Sequence, residues 1–66
     1  MAVITRDDLR AARRAYDEAI AKAERQRAAI LAKASAEGMP QKEIIEATEY
    51  SRETVRRIIA AGKEQA

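Results

Sequence analysis

Hydrophobic and polar residues follow a helical period over most of the chain, beginning with a long first segment. That segment contains no glycine or proline, and the residues that dominate it (Ala, Arg, Glu and Lys) are strong helix formers. Thr5 and Asp8 have the N-cap and N3 spacing of a capping box. Gly38 supplies a residue suited to the left-handed conformation that ends many helices. The sequence therefore predicts one long helix over residues 5–37. Its hydrophobic positions include a seven-residue repeat of Leu9, Tyr16, Ala23 and Ile30.

Two shorter helical segments follow, separated by a polar break. Proline is tolerated at the start of a helix, so Pro40 is placed at the beginning of a support helix over residues 40–48. Its inner side is formed by Ile44, Ile45 and Thr48. Ser51 is a good N-cap for a third helix over residues 51–61, which we expect Gly62 to end. The inner stripe of this helix consists of Val55, Ile58, Ile59 and Gly62. We therefore predict an all-α fold.

The composition allows only a small hydrophobic core. The chain has 66 residues, which makes a single domain over residues 1–66, and a domain of this size buries only about 60% of its unfolded surface. Hydrophobic residues make up 47% of the chain, yet about half of them are alanine, and there is no Phe, Trp, Cys or His. Small domains without disulfides or a structural metal commonly gain core by oligomerising. We therefore expect a homodimer with no metal or other cofactor.

The long helix offers a hydrophobic strip for that dimer. We expect its front half to pack against the same segment of a second chain through Leu9, Ala12, Tyr16, Ala19, Ile20 and Ala23. The alternative is that the long helix lies on its own domain along Ile30, Leu31 and Ala34, with the front half exposed to solvent. The strip is rich in alanine and interrupted by Gln26 and Arg27, whereas a strong coiled coil has larger residues at both seam positions.

The charge of the chain is only mildly basic. The formal net charge is +2 and the pI is about 9.3. The part that follows Gly38 contains five basic and five acidic residues, so its charge matters only if it is segregated in space. The N-terminal residues do not resemble a signal peptide, and no hydrophobic run approaches the length of a transmembrane span. Together with the absence of cysteine, this leads us to expect a cytoplasmic protein.

The second half of the chain carries a recognisable motif. Its pattern comprises Gln41, Glu43, Ile44, Ala47, Ser51, Arg52, Thr54, Val55 and Ile58. Over about twenty residues it resembles the helix-turn-helix of small bacterial, phage and plasmid DNA-binding proteins with a long N-terminal helix. The chain departs from the family pattern at three positions. Glu49 stands where the family usually has a glycine with φ > 0, Tyr50 where it has a small aliphatic residue, and Ile45 where it has alanine.

The resemblance implies that the third helix enters the major groove of double-stranded DNA, with its N-terminal residues at the base edges. Arg52 and Arg56 would contact guanine, and Glu53 would accept from cytosine N4, unless it serves only as a first-turn partner of the helix dipole. Backbone phosphates would be contacted by Gln41, Lys42, Tyr50, Ser51, Thr54 and Arg57. A dimer of such units would read half-sites about 34 Å apart.

These features favour a sequence-specific DNA-binding protein, a small homodimeric transcriptional regulator that acts as a repressor. Two alternatives remain open: a helical module that binds a partner protein, and an architectural or recombination-accessory protein on DNA. An enzyme is disfavoured because the chain has no His or Cys and Ser51 has no nearby base. We also expect no small-molecule ligand, because so short a chain leaves little room for a pocket of several hundred Å3.

Overall fold

The computed structural model describes residues 3–65, and within that range the chain forms three helices and no strand. Helix α1 spans Arg6–Ala36, α2 spans Gln41–Thr48 and α3 spans Arg52–Glu64. The prediction of an all-helical chain with one long and two short helices is confirmed. The order of the helices and their approximate lengths follow the hydrophobic pattern of the sequence.

The start of α1 is fixed by its predicted capping box. The Asp8 backbone N–H donates to Thr5 Oγ1 at 3.2 Å, and the Thr5 N–H donates to Asp8 Oδ2 at 2.9 Å. At the other end, Gly38 adopts φ +96°, and the next N–H, of Met39, donates to the Ala34 carbonyl at 3.1 Å. Backbone groups that a helix end leaves without partners are thereby satisfied.

The hydrophobic core lies where the C-terminal third of α1 meets α2 and α3. Its buried members are Ala28, Leu31, Ile44, Val55, Ile58 and Ile59. Ala34, Ile45 and Tyr50 pack against this cluster and are partly buried. Residues 3–27 are all exposed, so most of α1 projects beyond the core.

Ile30 does not belong to the core-facing side of α1, contrary to the alternative prediction that grouped it with Leu31 and Ala34. Leu31 is 8% exposed, whereas Ile30 is 67% exposed. Successive residues of an α-helix point about 100° apart, so Ile30 lies about 160° around α1 from the buried Ala28, whereas Leu31 lies about 60° from it. Ile30 instead continues the hydrophobic strip that runs along the projecting part of α1.

The sequence led us to expect that Gly62 ends the third helix, and this expectation is wrong. Helix α3 continues through it to Glu64, and Gly62 is buried. A Cβ placed on Gly62 would lie 2.8 Å from the Ala28 carbonyl carbon and from the Ala32 Cβ, and closer still to the Ala28 carbonyl oxygen. The glycine is therefore the point at which α3 crosses α1 at close range.

The chain is more extended than a compact domain of the same length. Its radius of gyration is 16.8 Å, whereas a compact domain of this length has about 11 Å. Its accessible surface is 5684 Å2, against about 4,200 Å2 for a compact protein of 7.3 kDa. The difference of roughly 1,500 Å2 arises mainly from the projecting part of α1, which no other element covers within the described residues.

Candidate nucleic-acid interface

The turn between α2 and α3 contains a left-handed residue, as expected from the resemblance. Glu49 has φ 62° and ψ 16°, a conformation that costs a non-glycine residue about 1 kcal/mol or more. Hydrogen bonds hold it in place. The Glu49 N–H donates to the Ile45 carbonyl at 2.9 Å, and Thr48 Oγ1 donates to the Ile44 carbonyl at 2.8 Å while accepting from the Tyr50 N–H at 3.3 Å. The turn is therefore well defined even without glycine.

Tyr50 links this turn to the long helix. Its ring packs against the core cluster, and its hydroxyl accepts from Arg27 Nη1 at 3.3 Å. The guanidinium carbon of Arg27 lies 5.4 Å from the centroid of the same ring, within range of a cation–π contact. The hydroxyl proton of Tyr50 remains free to donate to a phosphate. Arg27 was not among the expected site residues, because no sequence pattern joins two residues that lie twenty-three positions apart.

Ser51 and Thr54 form the N-terminal cap of α3. The Thr54 N–H donates to Ser51 Oγ at 3.2 Å, and the Ser51 hydroxyl donates to Thr54 Oγ1 at 2.9 Å. Because Ser51 uses its only proton within the protein, it has no proton left for a phosphate. Thr54 keeps its own hydroxyl proton. Of these two expected phosphate contacts, Thr54 is therefore the better donor.

The expected base-reading residues all lie on the exposed side of α3. The carboxylate of Glu53 is shared by two arginines, with Arg56 Nη2 at 3.3 Å and Arg57 Nε at 3.5 Å. Such exposed ion pairs contribute less than about 1 kcal/mol each, so a bound partner can replace them. Arg52 forms no ion pair with any residue in the described part of the chain. The four side chains form one surface, which we call the α3 face: Arg52, Glu53, Arg56 and Arg57.

Helix α2 carries two expected phosphate-contacting residues near its start, followed by a group of carboxylates. Gln41 is partly buried at the first position of the helix, and Lys42 is exposed. Glu43, Glu46 and Glu49 are also exposed along α2 and at its end. The positive charge of the second half therefore lies mainly on α3 and its negative charge mainly on α2.

A groove of about 440 Å3 runs between α1 and α3. Its charged lining residues are Glu24, Arg25, Arg27 and Arg57. The volume lies within the range of small-molecule sites and is larger than the sequence led us to expect. The groove is nevertheless open to solvent along its length, unlike the enclosed pockets that bury most of a ligand. Arg57 points into it, which agrees with the expectation that this arginine faces sideways from the base-reading residues.

The six expected dimerisation residues form an uncovered strip on the projecting part of α1, which we call the α1 strip: Leu9, Ala12, Tyr16, Ala19, Ile20 and Ala23. Every one is exposed, and the three large members, Leu9, Tyr16 and Ile20, have exposed fractions of 62%, 66% and 41%. Ile30, at the same heptad position as Leu9 and Tyr16, extends the strip toward the core. Strips of this kind on an otherwise charged helix commonly mark an interface.

Comparison with protein-family models, with curated proteins and with solved structures finds no match to this chain. None of the helices in residues 3–65 is long and apolar enough to cross a membrane. Across the same residues, no group of His, Cys, Asp or Glu is arranged to hold a metal ion. The geometry of the α3 face and the α1 strip is therefore the basis for any functional assignment.

Proposed function

We propose that this protein is a sequence-specific, homodimeric DNA-binding protein that regulates transcription by occupying its site. One observation carries the proposal. An eight-residue helix, a left-handed turn and a serine-capped helix follow one another, and the last of these helices exposes Arg52 and Arg56 while it buries Val55 and Ile58. This is the order of elements in a helix-turn-helix, whose second helix reads the major groove.

The α3 face has the donors and acceptors that base reading requires. Arg52 and Arg56 are four residues apart and therefore neighbours on the helix. Each guanidinium can donate two hydrogen bonds to guanine O6 and N7, which discriminates by about 1–3 kcal/mol. In the free protein Glu53 lies against Arg56 and Arg57. When Arg56 engages a guanine, the Glu53 carboxylate becomes available to accept from cytosine N4.

The backbone contacts come from the residues that flank this face. Thr54 and Tyr50 each have a free hydroxyl proton, and Arg57 and Lys42 carry an exposed charge. Gln41 adds an amide at the start of α2. Contacts of this kind position a protein on duplex DNA without reading its sequence.

Dimerisation compensates for the weak charge of the binding unit. Five basic residues face five acidic residues in the part after Gly38, so a single unit neutralises few phosphates and binds weakly. The excess surface of roughly 1,500 Å2 per chain exceeds the about 800 Å2 per partner of a standard interface. Pairing through the α1 strip would cover a large part of that excess. Two linked units gain affinity through effective concentration when both engage sites on the same DNA molecule.

A second candidate is a helical module that binds a protein partner. It is favoured by the exposed carboxylates of Glu43, Glu46 and Glu49 on α2, which repel DNA but suit a basic protein surface. Both candidates predict a soluble complex, yet only DNA binding through phosphates falls steeply with salt.

Selection of bound duplexes from a random library, followed by fluorescence anisotropy on the selected site, tests the proposal. Arg56→Ala should weaken specific binding by about 1–3 kcal/mol and relax the preference at one base pair. Arg14→Ala is the matched control, since it removes the same charge from the exposed front half of α1 and should change affinity much less. No enrichment of any sequence at low salt, with wild-type protein that is folded, would refute DNA binding. Equal affinities of the two variants would refute the assignment of the α3 face.

A further inference from the structure

We propose that the dimer bridges two separate DNA duplexes instead of reading two half-sites on one. This inference rests on the proposed function and adds how the two DNA-binding faces of the dimer are arranged relative to each other. It follows from the positions of the α1 strip and the α3 face, which lie on opposite sides of the long helix.

Helix α3 packs against one defined side of α1. The buried Gly62 approaches Ala28 and Ala32 so closely that no side chain fits between them. Ala28 and Ala32 are four residues apart and therefore occupy the same side of α1. That side is where α3 lies.

Most of the α1 strip lies on the other side of the same helix, with Ile20, about 80° from Ala28, at its edge. At about 100° per residue, Ala23 is about 140° from Ala28 and about 180° from Ala32. Ile30, which extends the strip, is about 160° from both. Its exposure of 67% is consistent with this position. A second chain that covers the strip therefore approaches α1 from the side opposite α3.

The reading residues of α3 point in a third direction, away from α1. Gly62 marks the side of α3 that touches α1. Counted back from it at about 100° per residue, Arg56 is turned by about 120° and Glu53 by about 180°. Arg56 and Glu53 are therefore directed away from α1, and still further from the α1 strip. Arg52, turned by about 80°, and Arg57, which lines the groove between α1 and α3, form the edges of the α3 face.

Pairing two chains through the strip then gives four layers: α3, α1, the partner's α1 and the partner's α3. With interaxial distances of 8–10 Å, the two α3 axes are about 24–30 Å apart, and the α3 faces point outward on opposite sides. The outward direction of the α3 faces holds for parallel and for antiparallel pairing, because in both cases the strip faces the two-fold axis. The spacing of about 24–30 Å applies to parallel pairing, since in an antiparallel pair the two α3 helices are also displaced from each other along α1. A straight duplex meets only one side of such a dimer. The second α3 face remains free for a second duplex.

A co-retention experiment tests the bridge. One duplex that carries the selected site is fixed to beads, and a second, fluorescent duplex with the same site is added with and without the wild-type protein. Retention of the fluorescent duplex in a protein-dependent manner is the expected result. The control is Leu9→Glu combined with Tyr16→Glu, which should bind a single duplex in anisotropy but lose at least about tenfold in co-retention.

A stoichiometric measurement separates the outcomes. Sedimentation equilibrium of the saturated complex with a short single-site duplex should give two duplexes for every two chains. A duplex with two sites one helical turn apart that binds one dimer, fills both sites and recruits no second duplex would overturn the bridge while leaving DNA binding intact. Absence of binding to the first duplex would overturn the bridge and the proposed function together.

Discussion

The substitution Gly62→Ala tests the crossing of α3 over α1, on which the arrangement of the whole molecule depends. Helix propensity alone would make the substitution favourable, because Gly62 lies inside α3. Alanine is better than glycine by about 1 kcal/mol inside a helix. In the structure the same residue is buried, and an added Cβ would lie 2.8 Å from the Ala28 carbonyl carbon and the Ala32 Cβ. Helix propensity therefore predicts that the substitution raises the free energy of unfolding, and the packing around Gly62 predicts that it lowers it.

The size of the effect follows from what has to move. The obstacle includes the Ala28 backbone, so relief requires α3 to shift away from α1 and not merely a new rotamer. Overpacking of this kind costs about 1–3 kcal/mol, and a backbone obstacle places Gly62→Ala at or above the upper end. After subtracting the helix-propensity gain of about 1 kcal/mol, we expect a net loss of about 2 kcal/mol. For a domain of this size that corresponds to a fall in Tm of about 8–16 °C.

Thermal unfolding followed by circular dichroism measures this loss. Because a dimer's stability depends on protein concentration, all variants are compared at one concentration. Lys63→Ala is the control, since it alters the adjacent exposed residue of the same helix and should stay within about 0.5 kcal/mol of the wild type. A Tm for Gly62→Ala equal to or above that of the wild type would show that α3 does not cross α1 at this point. It would also remove the basis for placing the α3 face opposite the α1 strip.

Two further predictions concern the turn and the dimer. Glu49→Gly should stabilise the fold by about 1 kcal/mol because it relieves the strain of a left-handed non-glycine residue. Glu46→Gly, which has the same change of charge, should destabilise α2 by about 1 kcal/mol. If denaturant unfolding shows that both variants change the free energy of unfolding in the same direction, this prediction is contradicted. Leu9→Glu with Tyr16→Glu should reduce the mass at sedimentation equilibrium to that of one chain. Ala11→Glu, which lies about 140–160° around α1 from these two residues, should not. Mass has to be measured directly, since the elongated chain makes shape-based sizes misleading. An unchanged dimer mass for the double variant would move the interface elsewhere.

Much of the local structure was predictable from short-range patterns. The Thr5–Asp8 capping box and the Ser51 N-cap each act within three residues, and both helix starts formed as expected. The left-handed conformation of Glu49 followed from the resemblance to a motif that has glycine there. The candidate base-reading residues of α3 were also placed correctly on its exposed side. Val55, Ile58 and Ile59 occupy the buried side of the helix, so the remaining residues face solvent.

Other features required the tertiary contacts. The role of Gly62 was missed because a glycine near a helix end looks like a stop, and its closeness to Ala28 involves residues thirty-four positions apart. One alternative prediction grouped Ile30 with Leu31 on the core-facing side of α1. That side is set by the position of α3, which the sequence of α1 does not contain. The Arg27–Tyr50 contact joins α1 to the turn across twenty-three positions and has no local signature.

The sequence by itself determined which segments are helical, where they begin, and which residues each helix can bury, because capping and hydrophobic periodicity act over a few residues. Only the tertiary structure decided how the helices are turned toward one another. A glycine admits α3 to the side of α1 that carries Ala28 and Ala32, leaving the α1 strip uncovered on the opposite side. The physical reason is that the direction of a helix face in space depends on backbone approach between distant segments. The periodicity of each segment alone does not contain that information.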